Sequence, residues 1–103
     1  MAYRVWLTES ARQDLDELFS YIINELANPS AAQGFADSFT TKVQQLEHHP
    51  FMYSRAKDTG LASKGYRSIS IGNHVVLYKV LDDDREVVIT RVFYGKRDYS
   101  KLL

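Results

Sequence analysis

The chain has 103 residues, of which 45% are hydrophobic and 13% aromatic, and it contains no cysteine. This length fits a single domain of residues 1–103, the aromatic content excludes a disordered chain, and the lack of cysteine excludes disulfides, thiol nucleophiles and thiolate zinc sites. The net charge is zero, but the charges are unevenly distributed along the chain. Residues 1–51 have three basic and seven acidic side chains and a net charge of −4, whereas residues 52–103 have ten basic and six acidic ones and a net charge of +4.

The first half of the chain predicts one strand followed by two helices. Period-two alternation predicts a short strand over residues 2–7. Thr8 or Ser10 then caps a helix, and Asn28-Pro29 starts a second one that ends shortly before Pro50. Apolar residues recur at spacings of three and four in both helices: Ala11, Leu15, Leu18, Phe19, Ile22 and Leu26, then Ala32, Phe35, Ala36, Phe39, Val43 and Leu46. The short link between them predicts an antiparallel helical hairpin.

The second half predicts a loop and three strands. Residues 51–65 show no clean period and are expected to be loop. Strands are predicted over residues 66–71, 74–80 and 86–94, with Gly72-Asn73 and the three aspartates 82–84 as turns. The order β-α-α-β-β-β predicts an α+β domain in which the helical hairpin packs on a small antiparallel sheet.

The Gly72-Asn73 turn also sets a predicted register. It places Arg67 opposite Tyr78 on the neighbouring strand. If the aspartate turn is regular, Tyr78 faces Ile89 and Val76 faces Arg91. Arg67 and Arg91 would then share one face beside Tyr78, whereas a bulge would move Arg91 to the other face.

Several classes of site are not indicated by the sequence. The adjacent His48 and His49 diverge by about 100° on a helix and His74 stands alone, so we expect solvated histidines, no metal and no cofactor. The carboxylates of Asp14, Asp16 and Glu17 form a helix-start cluster without the apolar surroundings that acid–base chemistry needs. No apolar run approaches the roughly 20 residues that span a bilayer, so we expect a soluble cytoplasmic protein without a membrane partner.

The basic residues of the second half are more informative because they interleave with aromatic ones. The basic members are Lys64, Arg67, Arg91, Lys96, Arg97 and Lys101, and the aromatic members are Tyr66, Tyr78, Phe93, Tyr94 and Tyr99. This pattern suits a surface that binds nucleic acid or an acidic protein. It also suits charges that protect a sheet edge from aggregation, so both interpretations stay open.

Over nearly its full length the chain resembles the RelE/ParE superfamily of toxins from type II toxin–antitoxin systems, most closely the ParE-like branch. The resemblance is carried by Tyr3-Arg4-Val5, by residues 8–15 with Tyr21-Ile22, by Leu46 and Pro50, by Gly65-Tyr66-Arg67, and by residues 72–80 and 89–98. It implies one RelE/ParE-like toxin domain that causes growth arrest, takes part in plasmid stabilization, and forms a hetero-oligomer with a cognate antitoxin.

The two branches of this superfamily differ in target. RelE-like members cut messenger RNA in the ribosomal A site without metal, whereas ParE-like members poison DNA gyrase. Carried over residue by residue, the RelE site keeps its charge at Arg67 and Arg97. Its other basic positions fall near Ile69 and Val75, and its tyrosine falls on Leu103, with Tyr99 as a displaced substitute.

The resemblance therefore implies a toxin that inhibits DNA gyrase by protein–protein binding, and the neutral charge also favours a protein target over the ribosome. The expected target-binding residues are Arg67, Arg91, Lys96, Arg97 and Tyr99. The enzymatic alternative is a ribosome-dependent endoribonuclease with Arg67, Arg97 and Tyr99 as catalytic residues. A third possibility is a degenerate, non-toxic binding module. In each case an acidic antitoxin segment is expected to cover the basic second half.

Overall fold

Helices pack on a four-stranded sheet in the computed structural model, which describes residues 2–95. The strands are β1 (Arg4–Leu7), β2 (Arg67–Ile71), β3 (His74–Leu81) and β4 (Glu86–Tyr94), and the helices are α1 (Glu9–Ser20), α2 (Pro29–His48) and α3 (Thr59–Ser63). A π-helical turn, Tyr21–Glu25, extends α1. The α+β class is confirmed. The loop predicted over residues 51–65 is wrong in part, because α3 lies within it and is capped by Asp58.

The sheet is mixed, with the strand order β1-β4-β3-β2. β2 pairs antiparallel with β3 and β3 with β4, as predicted, but β1 runs parallel to β4 at the sheet edge, from Arg4 opposite Glu86 to Leu7 opposite Ile89. The expectation of a purely antiparallel sheet was therefore wrong for β1. Alternation identifies a strand but not its neighbour, and the helical hairpin returns the chain to the far side of the sheet.

Local side-chain bonds determine where the two long helices begin. The Thr8 hydroxyl accepts a hydrogen bond from the Ala11 amide at 3.1 Å and donates one to the Thr90 carbonyl at 2.9 Å. The first bond caps α1 and the second ties that cap to β4. Asn28 caps α2 in the same way through the Ala31 amide, and Pro29 is the first helical residue.

The main core lies between the sheet and the hairpin, and a smaller one lies on the opposite face of the sheet under α3. The main core buries both predicted helical stripes in part, with Ala11, Leu18, Ile22, Ala32, Phe35 and Leu46 against Ile69, Val76, Tyr78, Val87 and Ile89. Leu26, the last residue of the first predicted stripe, is instead 54% exposed. In the part of the chain that the structure describes, no helix has the length and apolar character to cross a bilayer.

The predicted hairpin register is confirmed up to a β-bulge. Arg67 faces Tyr78 and Tyr78 faces Ile89. Arg91, however, faces Leu77 and not Val76, because Thr90 is an extra residue in β4 between the paired positions. The expected Val76–Arg91 pair was therefore wrong, and the bulge reorients the Arg91 side chain.

Candidate functional site: a groove beside an ion pair

A groove of about 990 Å³ opens between the hairpin and one end of the sheet. Its walls are α1 with the π-helical turn, α2, the turn between β2 and β3, and the end of β4. The residues that line it include Asp14, Glu17, Tyr21, Leu26, Gly34 and His74. Tyr21 and Leu26 expose 53% and 54% of their surface at its rim. Exposed apolar side chains that border a groove give it the character of a surface that a partner covers.

The wall that α2 contributes is built from small side chains. Ala31, Gly34 and Ser38 lie three and four residues apart and all line the groove. A Cβ atom placed on Gly34 would meet no atom within 4 Å. The backbone of α2 is therefore approachable along this wall, and the groove is wide enough for a second polypeptide segment.

The charge of the groove is acidic, contrary to expectation. The charged residues that line it are Asp14 and Glu17, and no lysine or arginine does so within residues 2–95. Sequence reasoning placed the binding surface on the basic second half, since the charge division along the chain is visible in the sequence. The groove instead joins acidic residues of α1 to the apolar end of the sheet.

Asp14 forms an ion pair with Arg91 beneath the groove. Its carboxylate accepts hydrogen bonds from Arg91 Nε at 2.7 Å and Nη2 at 3.0 Å, and one from the Val92 amide at 2.9 Å. Only 12% of the Asp14 side chain and 19% of the Arg91 side chain are exposed. The Asp14 carboxylate, with Glu17 adding to its field, raises the pKa of Arg91 above its ordinary value. The pair thus fastens α1 to β4 next to the bulge.

This contact was missed from the sequence, which presented Asp14 as one of a helix-start cluster and Arg91 as a candidate anchor for a target. The two residues are 77 positions apart, so no local spacing indicates the pair. Predicting the pair would have required knowledge of the bulge at Thr90, because without the bulge Arg91 is placed opposite Val76 instead of Leu77.

Arg67 lies at a different place, on the edge strand β2. Its Nη1 donates a hydrogen bond to the Tyr53 carbonyl at 2.7 Å, and its guanidinium lies 5.1 Å from the centre of the Phe51 ring. Phe51 and the neighbouring Met52 are 51% and 55% exposed. We call Phe51, Met52 and Arg67 the edge patch. The Arg67 guanidinium is therefore held in place beside an exposed aromatic ring.

The predicted grouping of Arg67 and Arg91 beside Tyr78 is only partly found. Tyr78 does face Arg67 across the strands, whereas Arg91 is bonded to α1. Tyr78 is fully buried, and its hydroxyl donates a hydrogen bond to the Pro50 carbonyl at 3.0 Å. Burial raises the pKa of Tyr78 to about 12, so its phenol is a neutral structural group at physiological pH.

The remaining predicted site residues, Lys96, Arg97 and Tyr99, lie outside the described residues 2–95. Ile69, onto which one lysine of a RelE-like site falls, is only 2% exposed and belongs to the core. Its side chain is directed into the main core, away from any partner.

The histidines differ from one another. His48 and His49 are exposed at the end of α2, as expected. His74 is half-buried, which corrects the expectation of a solvated turn histidine, and its ring packs edge-on at 5.8 Å from both Phe35 and Tyr94. Burial lowers the pKa of His74 below 6.5. Within residues 2–95, no three His, Cys, Asp or Glu side chains are placed to hold a metal ion together.

Comparison with known proteins gives one family and a set of structures of the same fold. The family model described as the ParE toxin of type II toxin–antitoxin systems, parDE, matches residues 5–99. The chain is similar to the chromosomal ParDE toxin–antitoxin system of P. aeruginosa, with 17% identity, a TM-score of 0.71, and 92% of this chain and 98% of that one covered.

Two further structures share the fold. One is the toxin–antitoxin complex RelBE2 of Mycobacterium tuberculosis, with 24% identity, a TM-score of 0.64, and 91% and 99% of the two chains covered. The other is a free mutant form of the E. coli toxin RelE, with 15% identity, a TM-score of 0.65, and 93% and 86% covered. No curated protein sequence matched the chain.

Proposed function

Because the chain belongs to the family of ParE toxins of type II toxin–antitoxin systems, we propose that it arrests growth by binding and inhibiting DNA gyrase, and that a cognate antitoxin neutralises it. The match to the ParE family over residues 5–99 carries this proposal. The gyrase target follows from the resemblance to the ParE-like branch.

The antitoxin is proposed to bind in the groove. The groove is open, and its rim carries the exposed apolar surface of Tyr21 and Leu26. An amphipathic segment that lays its apolar side on such a surface gains the transfer free energy of both side chains. Several of the similar structures are themselves toxin–antitoxin complexes.

The edge patch is proposed to contact gyrase. Arg67 is fixed by the Tyr53 carbonyl and lies over the Phe51 ring, and both Phe51 and its chain neighbour Met52 are exposed. An arginine held beside exposed apolar side chains has the composition of a protein-binding hot spot, whereas phosphate binding favours several adjacent cations. Arg91, Lys96, Arg97 and Tyr99 are proposed as further target-binding residues on the strength of the resemblance alone.

The proposal is tested by a supercoiling assay with purified gyrase and purified toxin. We expect the wild-type chain to inhibit supercoiling and Arg67→Ala to lose most of this inhibition. Arg12→Ala is the matched control, because it removes an exposed arginine on the outer side of α1. Thermal unfolding of each variant shows whether the fold is retained.

Other outcomes point to the alternatives. Full gyrase activity with folded wild-type toxin would overturn the proposal. If growth still stops on induction and primer extension maps cleavage of translated messages at the A site, the protein is a ribosome-dependent endoribonuclease. If induction without antitoxin leaves growth unaffected, it is a non-toxic module.

A further inference from the structure

We infer that the antitoxin segment in the groove carries an arginine or lysine that pairs with Glu17. This inference rests on the proposed docking of the antitoxin in the groove and deepens it, because it specifies the chemistry of the segment and the residue that selects it.

Of the two acidic residues that line the groove, Asp14 already has its negative charge paired with Arg91. Its carboxylate binds the Arg91 guanidinium and the Val92 amide through three hydrogen bonds. Such a carboxylate offers little attraction to an incoming cation. The charge of Asp14 therefore does not determine which segment binds.

Glu17 is the less compensated of the two carboxylates, because its field reaches the Arg91 guanidinium without forming an ion pair with it. It lines the groove and its side chain is exposed, and within residues 2–95 no lysine or arginine lies within ion-pair distance of it. A segment that covers Glu17 without a cation would remove water from a carboxylate and leave it unpaired, which costs free energy.

The surroundings of Glu17 favour a long cationic side chain. Tyr21 follows Glu17 by four residues, so the two side chains lie on the same side of the helix, and both line the groove. The aliphatic stem of an arginine or lysine packs on the exposed Tyr21 ring while its charged end reaches Glu17. A carboxylate at the same position would instead face Glu17 at close range and be repelled.

The inference makes Glu17 a specificity-determining residue. The apolar rim at Tyr21 and Leu26 accepts many amphipathic segments, because apolar contact discriminates weakly among them. A charge pair at one fixed position separates a segment with a cation there from one with an acid. It adds a cation over the acidic groove to the acidic antitoxin segment expected over the basic second half.

The test uses the full-length toxin and the antitoxin encoded by the gene next to it, purified separately, with binding measured by titration calorimetry. We expect Glu17→Gln to weaken binding about tenfold and Glu17→Lys to weaken it further. Asp16→Asn and Asp16→Lys are the matched controls, because Asp16 is exposed on the same helix but does not line the groove, and they should change the Kd less than about twofold. A Glu17→Lys toxin should recover affinity for an antitoxin whose pairing cation is replaced by glutamate.

Gly34→Trp separates this inference from the proposed docking. Its side chain would point into open space in the groove and block the site. If Gly34→Trp abolishes binding and Glu17→Lys leaves the Kd unchanged or lower, the groove is used and the charge inference is overturned. If neither variant changes the Kd, the antitoxin binds elsewhere and both fail. If the wild-type chain does not bind the antitoxin, the proposed neutralisation fails first.

Discussion

Removing the Asp14 carboxylate tests the connection between α1 and the bulge in β4. Asp14→Ala removes two hydrogen bonds to the Arg91 guanidinium and one to the Val92 amide. It leaves a guanidinium whose side chain is only 19% exposed without this carboxylate. Breaking a fully buried pair costs about 3–5 kcal/mol, and since the rim of this pair reaches water we expect a loss of about 3 kcal/mol in the free energy of unfolding.

The loss is measured by urea unfolding followed by circular dichroism. It corresponds to a fall of about 15 °C in Tm for a domain of this size. Asp14→Asn keeps one acceptor oxygen and should cost about half as much. Asp16→Ala is the control, because Asp16 is exposed and has no hydrogen-bond partner in residues 2–95. A double-mutant cycle with Arg91→Met should give a coupling of about 2 kcal/mol.

One result would refute this reasoning. If Asp14→Ala lowers the free energy of unfolding by less than about 1 kcal/mol, or if the cycle gives no coupling, the pair does not fasten α1 to β4. The Val92 amide would then be satisfied by water, and the bulge would be stabilised by the hydrogen bonds of Thr8 and Thr90.

Two pH dependences follow from buried groups. Burial lowers the pKa of His74 below 6.5. The unfolded chain therefore takes up a proton before the folded one, and the free energy of unfolding falls as the pH drops below about 6.5. His74→Gln should make the free energy of unfolding, measured with urea from about pH 7 to about pH 5, less dependent on pH. The pKa of Tyr78 is raised to about 12 from 10.0, so the unfolded chain loses its proton first and stability falls as the pH rises from about 10 to about 12. Tyr78→Phe should remove this fall, and at neutral pH it should cost about 1 kcal/mol because the Pro50 carbonyl loses its donor.

Controls are available for both. His48→Gln, which removes an exposed histidine of α2, is the matched control for the loss of an imidazole. If His74→Gln leaves the pH dependence of the free energy of unfolding unchanged, other groups cause it. For Tyr78, absorbance at 295 nm should show one phenol that ionises only as the chain unfolds. Ionisation of the Tyr78 phenol at about pH 10 while circular dichroism remains native would contradict the effect of burial on its pKa.

Much of the fold could be predicted because the relevant signals are local. Asn28-Pro29 marks the start of α2 through a cap and a fixed φ angle, both properties of those two residues. Gly72-Asn73 sets the register of β2 against β3 because a two-residue turn allows only one pairing. Gly72 adopts a positive φ of 58° there.

The rest depended on contacts between distant residues. The alternation of residues 2–7 could not indicate that β1 lies parallel to β4, since a strand of four residues carries no record of its neighbour. In the sequence the extra residue Thr90 is indistinguishable from any other β-branched strand residue. Arg91 was therefore predicted to face Val76, whereas it faces Leu77. The groove could not be foreseen because it joins acidic residues of α1 to the far end of the sheet, and only the packing brings them together.

The edge position of β1 has a consequence for how the chain folds as it is synthesised. β1 pairs with β4, with Arg4 opposite Glu86. β1 is synthesised long before its partner strand, and contacts of such high sequence separation form slowly. The groove has the same dependence, because its walls run from Asp14 to Tyr94. A nascent chain whose β4 is still held in the ribosomal exit tunnel has neither the β1–β4 pairing nor a complete groove, so the proposed docking of an antitoxin becomes possible only after β4 has emerged.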